Sequence, residues 1–108
     1  MASFSIDDLE AIVRARLAEG GAASYTNTLA AKGIDKVAEK FGEEAVEAVI
    51  AAVRRAPDAM IAEAADVVFH LTVLLAVQGI SWNDVMAELD RRTGQSGLEE
   101  KARRTAPT

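Results

Sequence analysis

The 108-residue chain contains no cysteine. Disulfides, thiolate catalysis, zinc fingers and iron–sulfur clusters are therefore excluded. Its two prolines are Pro57 and Pro107, and neither interrupts a long periodic segment. Aromatic residues make up only 5% of the chain, although half of it is hydrophobic. Ala, Val, Leu and Ile must supply most of the core, which suits close helix–helix packing. A net charge of −5 lacks the basic excess that general nucleic-acid binding requires. It leaves room for a nucleotide whose phosphates meet the protein through metal cations. The residues from Met1 to Asp8 are acidic and hold no apolar run. No signal peptide is expected from them, and a cytoplasmic protein is. No stretch alternates with period two for long enough to be a strand.

The length fits one domain, residues 1–108, and the apolar periodicity predicts an all-α fold. Ser5 is a plausible N-cap for a first helix, with Asp7 and Asp8 suiting its dipole and Gly20-Gly21 ending it. A polar connection, Ser24 to Thr28, follows. The second helix is expected from Ile34 to Arg55 and the third from Asp58 to Gln78, with Pro57-Asp58 marking the break. Ser81 and Asp84 form a capping box for a fourth helix that ends at Thr93-Gly94. Its apolar stripe is Trp82, Val85, Met86 and Leu89, and Trp82 reads as core. The last dozen residues are expected to form a short helical turn and a frayed tail.

From Ala59 to Val77 the third helix is nearly all apolar and could pass for a membrane span. Glu63, Asp66 and His70 inside it would be expensive in lipid, so a bundle helix is expected instead. A bundle helix normally turns a polar face outward. This one does not, which implies a homodimer in which a second chain covers the remaining side.

Lys36, Lys40, Glu43, Glu44 and Glu47 share a face of the second helix roughly 100° wide. That pattern fits a solvated face with a Lys40–Glu44 pair. Glu63, Asp66 and His70 share a narrow face of the third helix among apolar neighbours. Carboxylates carried into a core need compensation, by neighbouring cations or by a divalent metal. All the candidate ligands are hard oxygen donors, which suit Mg²⁺ or Mn²⁺. A di-iron bundle uses a Glu-x-x-His pair on each of two helices, and His70 is the chain's single histidine. Mg²⁺ on a few carboxylates commonly completes its shell with substrate phosphates, so the pattern suggests phosphate chemistry.

The arrangement Glu44-x-x-Glu47, fifteen residues, then Glu63-x-x-Asp66 resembles the paired acidic motif of the all-helical MazG-like nucleotide pyrophosphohydrolases. Ser24-Tyr25-Thr26, Leu29, Gly33, Lys40-Phe41-Gly42-Glu43-Glu44-Ala45, Glu63-Ala64-Ala65-Asp66 and Phe69-His70 narrow the resemblance to the phosphoribosyl-ATP pyrophosphatase family. It covers about residues 5 to 92. Phe69 stands where the family often has Tyr, and Phe41 where it often has a β-branched residue; neither side chain is a metal-ligand type.

The resemblance implies a four-helix MazG-like bundle completed by dimerisation. It also implies Mg²⁺-dependent hydrolysis of phosphoribosyl-ATP to phosphoribosyl-AMP and pyrophosphate, the second step of histidine biosynthesis. A separate phosphoribosyl-AMP cyclohydrolase would then complete the pathway, since this chain has no cysteines for that domain's zinc site. Glu44, Glu47, Glu63 and Asp66 are the expected metal ligands. Glu43 is expected to orient the attacking water or to serve as a further ligand. Lys40 is expected to contact a phosphate, with a simple salt bridge to Glu44 as its plainer reading. Ser24, Tyr25 and Thr26 are expected to touch the substrate, through two hydroxyls and an aromatic ring; the plainer readings are a packed loop aromatic for Tyr25 and local turn bonding for Ser24 and Thr26. His70 is expected to orient Asp66, or else to be a hydrogen-bonded core histidine.

Two other functions use the same features. A housecleaning hydrolase of nucleoside triphosphates would carry the same acidic motif. A non-catalytic helical dimerisation module would explain the apolar third helix but not acids placed opposite a second acidic helix.

Overall fold

The computed structural model describes residues 3–21, 23–94 and 104. These residues form α1 (Ile6–Glu19), α2 (Tyr25–Ala31), α3 (Ile34–Val53), α4 (Pro57–Val77) and α5 (Trp82–Thr93), with no strand among them. The all-α expectation holds, and the four long segments lie within two residues of their predicted limits. The expected C-terminal turn and tail fall almost wholly outside the described residues.

One element was not foreseen. The supposed polar connection after Gly21 is the start of α2. Ser24 caps it by accepting from the Asn27 N–H at 3.2 Å. The Asn27 side chain donates to the Gly20 backbone oxygen at 2.9 Å, tying α2 to the end of α1. Leu29 is buried in the core beside Val13, Val37 and Val73. Thr and Asn are mediocre helix formers, so these tertiary ties outweigh a weak local preference.

The caps at α1 and α5 follow the sequence directly. Ser5 and Asp8 form a reciprocal capping box, as do Ser81 and Asp84. Burial of Trp82 holds α5 in place. Its backbone N–H donates to Glu10 on α1 at 2.6 Å, and its indole Nε1–H donates to the Thr72 hydroxyl on α4 at 3.0 Å.

The most extensive interhelical contact joins α3 and α4. The turn between them is a Schellman motif. Ala56 N–H bonds Ala51 O at 3.2 Å and Arg55 N–H bonds Ala52 O at 3.1 Å. The same pattern ends α4, where Ile80 N–H bonds Leu75 O and Gly79 N–H bonds Ala76 O, each at 3.0 Å. The left-handed residue is Gly79 in one turn (φ 73°) and Arg55 in the other (φ 54°). Only glycine takes that conformation without a steric penalty from Cβ.

A large apolar surface remains uncovered. Val46, Val49 and Val53 on α3 are 58%, 60% and 76% exposed, and Ile61 on α4 is 70% exposed. The 21-residue α4 is long and apolar enough to cross a membrane, and only 17% of its most apolar window is buried. Its acids and its histidine oppose that reading, because each would be costly in hydrocarbon.

Relieving the strained turn should stabilise the hairpin. Arg55→Gly is expected to raise the unfolding free energy, by less than about 1 kcal/mol after glycine's extra unfolded-state entropy is subtracted. Arg55→Ala keeps a Cβ and should give no such gain. Urea unfolding at one fixed protein concentration distinguishes the two outcomes.

Candidate active site

The hairpin sets the acidic faces of α3 and α4 against each other. Carboxylate oxygens of Glu44, Glu63 and Asp66 lie within 4.8 Å of one another. At an effective dielectric constant of about 20, two such charges repel by roughly 3 kcal/mol. The repulsion is smaller where Asp66 reaches solvent. Glu44 is buried, at 6% exposure. One of its oxygens accepts an ion pair from Lys40 at 3.1 Å, one helical turn away. The other, Oε2, is buried without a hydrogen-bond partner, and so is Oε2 of Glu63. A buried carboxylate oxygen left unpaired is costly. Two of them, on residues whose carboxylates cluster this closely, fit a divalent cation, which would compensate all three acids together. The donor set is oxygen only, as Mg²⁺ and Mn²⁺ prefer.

Glu47 joins this cluster from one turn along α3. The negative charge of Glu44 and a hydrogen bond with Glu63 raise its carboxyl above the ordinary carboxylate range. Glu47 thus holds its proton more tightly than a free carboxyl does. Lys40 is held above its ordinary value by its bond to Glu44.

Glu43 is placed differently from the other four acids. It lies 3.7 Å from Lys40 and lines a cleft between α2 and α3. The cleft has a volume of about 290 Å³. Lys40 lines it too, so it borders both the cleft and the acid cluster. Lys32 and Lys36 complete its basic wall. Sequence reasoning placed Lys36 on the polar face and passed over Lys32. Their four-residue spacing up to Lys40 was visible, but the break between α2 and α3 was not.

His70 is buried at 4% exposure. Its Nδ1 lies 2.7 Å from the backbone oxygen of Asp66, not against the carboxylate. A carbonyl only accepts, so Nδ1 carries the proton and Nε2 accepts from the Tyr25 hydroxyl at 2.9 Å. The Tyr25 ring is half exposed and packs near Phe69. A chain of two hydrogen bonds therefore links the start of α2 to the ligand-bearing turn of α4. Thr26 does not present its hydroxyl outward, and that of Ser24 is engaged within the chain. The Ser24 hydroxyl caps α2, and Thr26 is fully buried with its Oγ1 unpartnered. Arg91 and Arg92, at the end of α5, both bond Glu88 and hold its carboxyl down at about 2.

Comparisons with known proteins identify relatives of this chain. The profile of the family described as phosphoribosyl-ATP pyrophosphohydrolase matches residues 6–93. A phosphoribosyl-ATP pyrophosphatase of Sphingopyxis alaskensis is 60% identical over 97 residues, covering 89% of each chain. Proteins of the same name from Methylobacterium nodulans and Agrobacterium fabrum are 54% and 51% identical, each over 99% of this chain and all of the relative.

The raised carboxyl of Glu47 sets a pH dependence whose sign can be worked out. A folded-state pKa above the ordinary value contributes stability that is complete below that value and is lost as pH rises through the raised one. Without added metal, the melting temperature should therefore fall as pH climbs through and above the ordinary carboxylate range. A cation competes with those protons, so Mg²⁺ should raise the melting temperature more at about pH 8 than at about pH 4.5. Thermal melts with and without Mg²⁺ at both pH values check this, and an equal shift at the two would refute it.

Proposed function

Because the chain belongs to the phosphoribosyl-ATP pyrophosphohydrolase family, we propose that it hydrolyses phosphoribosyl-ATP to phosphoribosyl-AMP and pyrophosphate. The reaction is the second step of histidine biosynthesis, with Mg²⁺ as the cofactor and Mn²⁺ as a substitute. The observation that carries this reading is the acid cluster of Glu44, Glu63 and Asp66, with its two unpaired buried oxygens. Glu47, in contact with Glu44 and Glu63, is the fourth ligand.

A divalent cation held there supplies charge neutralisation and Lewis acidity toward the phosphoric anhydride. The side chains do the rest. Lys40 stands between the acids and the cleft, where its ammonium can stabilise charge gathering on a phosphate oxygen. Glu43, on the cleft side of Lys40, orients the attacking water or acts as a further ligand. Tyr25 offers its exposed ring to the ribose or base while its hydroxyl is anchored on His70. His70, bonded to the Asp66 backbone, is a positioning residue for that turn. Ser24 and Thr26 support the start of α2 that carries Tyr25, one by capping the helix and one by its burial.

The protein acts as a homodimer or a multiple of one. The exposed stripe of Val46, Val49, Ile50 and Val53, together with Ile61 on α4, supports this. So much apolar surface is unusual on a soluble monomer. The stripe neighbours the acidic face of α3, so a partner covering it would border the site. The enzyme is cytoplasmic, and its product passes to a separate phosphoribosyl-AMP cyclohydrolase.

Pyrophosphate release should be greater from phosphoribosyl-ATP than from ATP or other common triphosphates, and it should stop in EDTA. Equal cleavage of ATP would favour the housecleaning reading. No cleavage of any nucleotide, with no Mg²⁺ binding, would favour the dimerisation module. Glu44→Gln, Glu47→Gln, Glu63→Gln and Asp66→Asn should each lose most of the activity with helical circular dichroism intact. Full activity in two of them would refute the ligand set. Light scattering should give at least twice the chain mass.

A further inference from the structure

Lys32, at the end of α2, and Lys36 and Lys40, on α3, converge on the cleft between these helices. Three ammonium groups face two carboxylates there, Glu39 and Glu43. The cleft thus gathers three cations on a protein whose net charge is −5. Its cations are differently engaged. Lys40 is drawn to Glu44 at 3.1 Å, on the cluster side. Lys36 pairs with Glu39 at 3.0 Å, but both side chains are more than half exposed, and such pairs contribute little. Lys32 has no salt-bridge partner among the described residues. Two lysines are therefore available to a ligand without breaking a strong contact. Tyr25 and Leu29 give the same cleft an apolar wall.

A substrate with phosphate at two separate places explains such a cleft. Phosphoribosyl-ATP, the substrate under the proposed function on which this inference rests, carries a triphosphate and a phosphomonoester on a second ribose. Acids can hold the triphosphate only through cations, at the Glu44–Glu63–Asp66 cluster. The phosphomonoester is a dianion with no part in the reaction, and flexible ammonium groups meet it as point charges. We propose that the cleft between α2 and α3 is a metal-independent phosphate subsite, in which Lys32 and Lys36 hold the phosphomonoester of the phosphoribosyl group against Tyr25. Ordinary nucleoside triphosphates lack this group, so the cleft is where the substrate is told apart from ATP.

The leaving pyrophosphate offers the same phosphate chemistry, and the test separates the two sources. Ribose 5-phosphate, titrated in EDTA into the wild-type protein, should shift the amide resonances of Thr28, Lys32 and Lys36. In the Mg²⁺-dependent assay, ribose 5-phosphate and pyrophosphate should each inhibit. The double variant Lys32→Ala/Lys36→Ala should weaken ribose 5-phosphate inhibition at least about tenfold, as loss of a charged hydrogen bond implies, and should change pyrophosphate inhibition less than about twofold. Lys32→Arg/Lys36→Arg should keep most of both, which guards against a mere folding defect. Weakened pyrophosphate inhibition, or no change in either, overturns the proposal. The proposed function fails separately: a wild-type chain that leaves phosphoribosyl-ATP uncleaved refutes that reading, while the titration in EDTA still decides the subsite.

Discussion

Crowding of negative charge between two antiparallel helices governs the rest of this structure. Glu44, Glu47, Glu63 and Asp66 meet at the α3–α4 contact, and one nearby ammonium, Lys40, answers part of their charge. The raised carboxyl of Glu47 relieves part of the remainder when it holds its proton, at the expense of the charged form that a cation needs. The folded hairpin therefore stores repulsion that a divalent cation can release, so binding affinity draws on the energy of packing. The Schellman turn at Arg55 and the extensive α3–α4 contact are what hold the repelling groups together.

The apolar surface beside the acids belongs to the same economy of space. α4 has few buried residues because α1 and α3 cover only part of it. Its two cluster acids, Glu63 and Asp66, meet α3, while His70 and Thr72 are turned inward to Tyr25 and Trp82. The remaining faces are apolar, and so is the neighbouring stripe of α3. A dry partner surface next to the cluster would lower the local dielectric and strengthen the attraction between acids and cation.

Around this centre the smaller contacts set direction. The Tyr25–His70–Asp66 chain of hydrogen bonds connects the short α2 to the ligand-bearing turn of α4. It holds an aromatic ring at the mouth of the basic cleft while fixing the imidazole tautomer. Lys40 is the junction, since it touches Glu44 and also lines the cleft. A substrate bridging both regions would meet a cation-loaded acidic end and a metal-free basic end about two turns apart along α3.

Much of this was legible in the sequence because helices translate spacing into faces. Glu44 and Glu47, or Glu63 and Asp66, lie on one face by the 3.6-residue period alone. Ser5, Ser81, Gly20 and Gly79 marked ends through local hydrogen bonding and backbone freedom. The family motif was legible for the same reason, being a local pattern on successive helices. What spacing cannot carry is the relation between elements distant in the chain. The start of α2 read as a polar loop, because its helix depends on Asn27 reaching Gly20 and Leu29 reaching the core. Thr26 read as a substrate-facing hydroxyl, yet its side chain points inward. His70 read either as orienting the Asp66 carboxylate or as a hydrogen-bonded core histidine, and it is the latter, but its partners, the Asp66 backbone oxygen and Tyr25, 45 residues away, were not legible. Lys32 and Lys36 joined Lys40 in one cleft only once α2 folded back against α3. The sequence by itself determined which side chains share a helix face, since that follows from backbone geometry. Tertiary structure decided which faces meet and which polar groups stay unpaired, since those depend on packing between helices that no local period encodes.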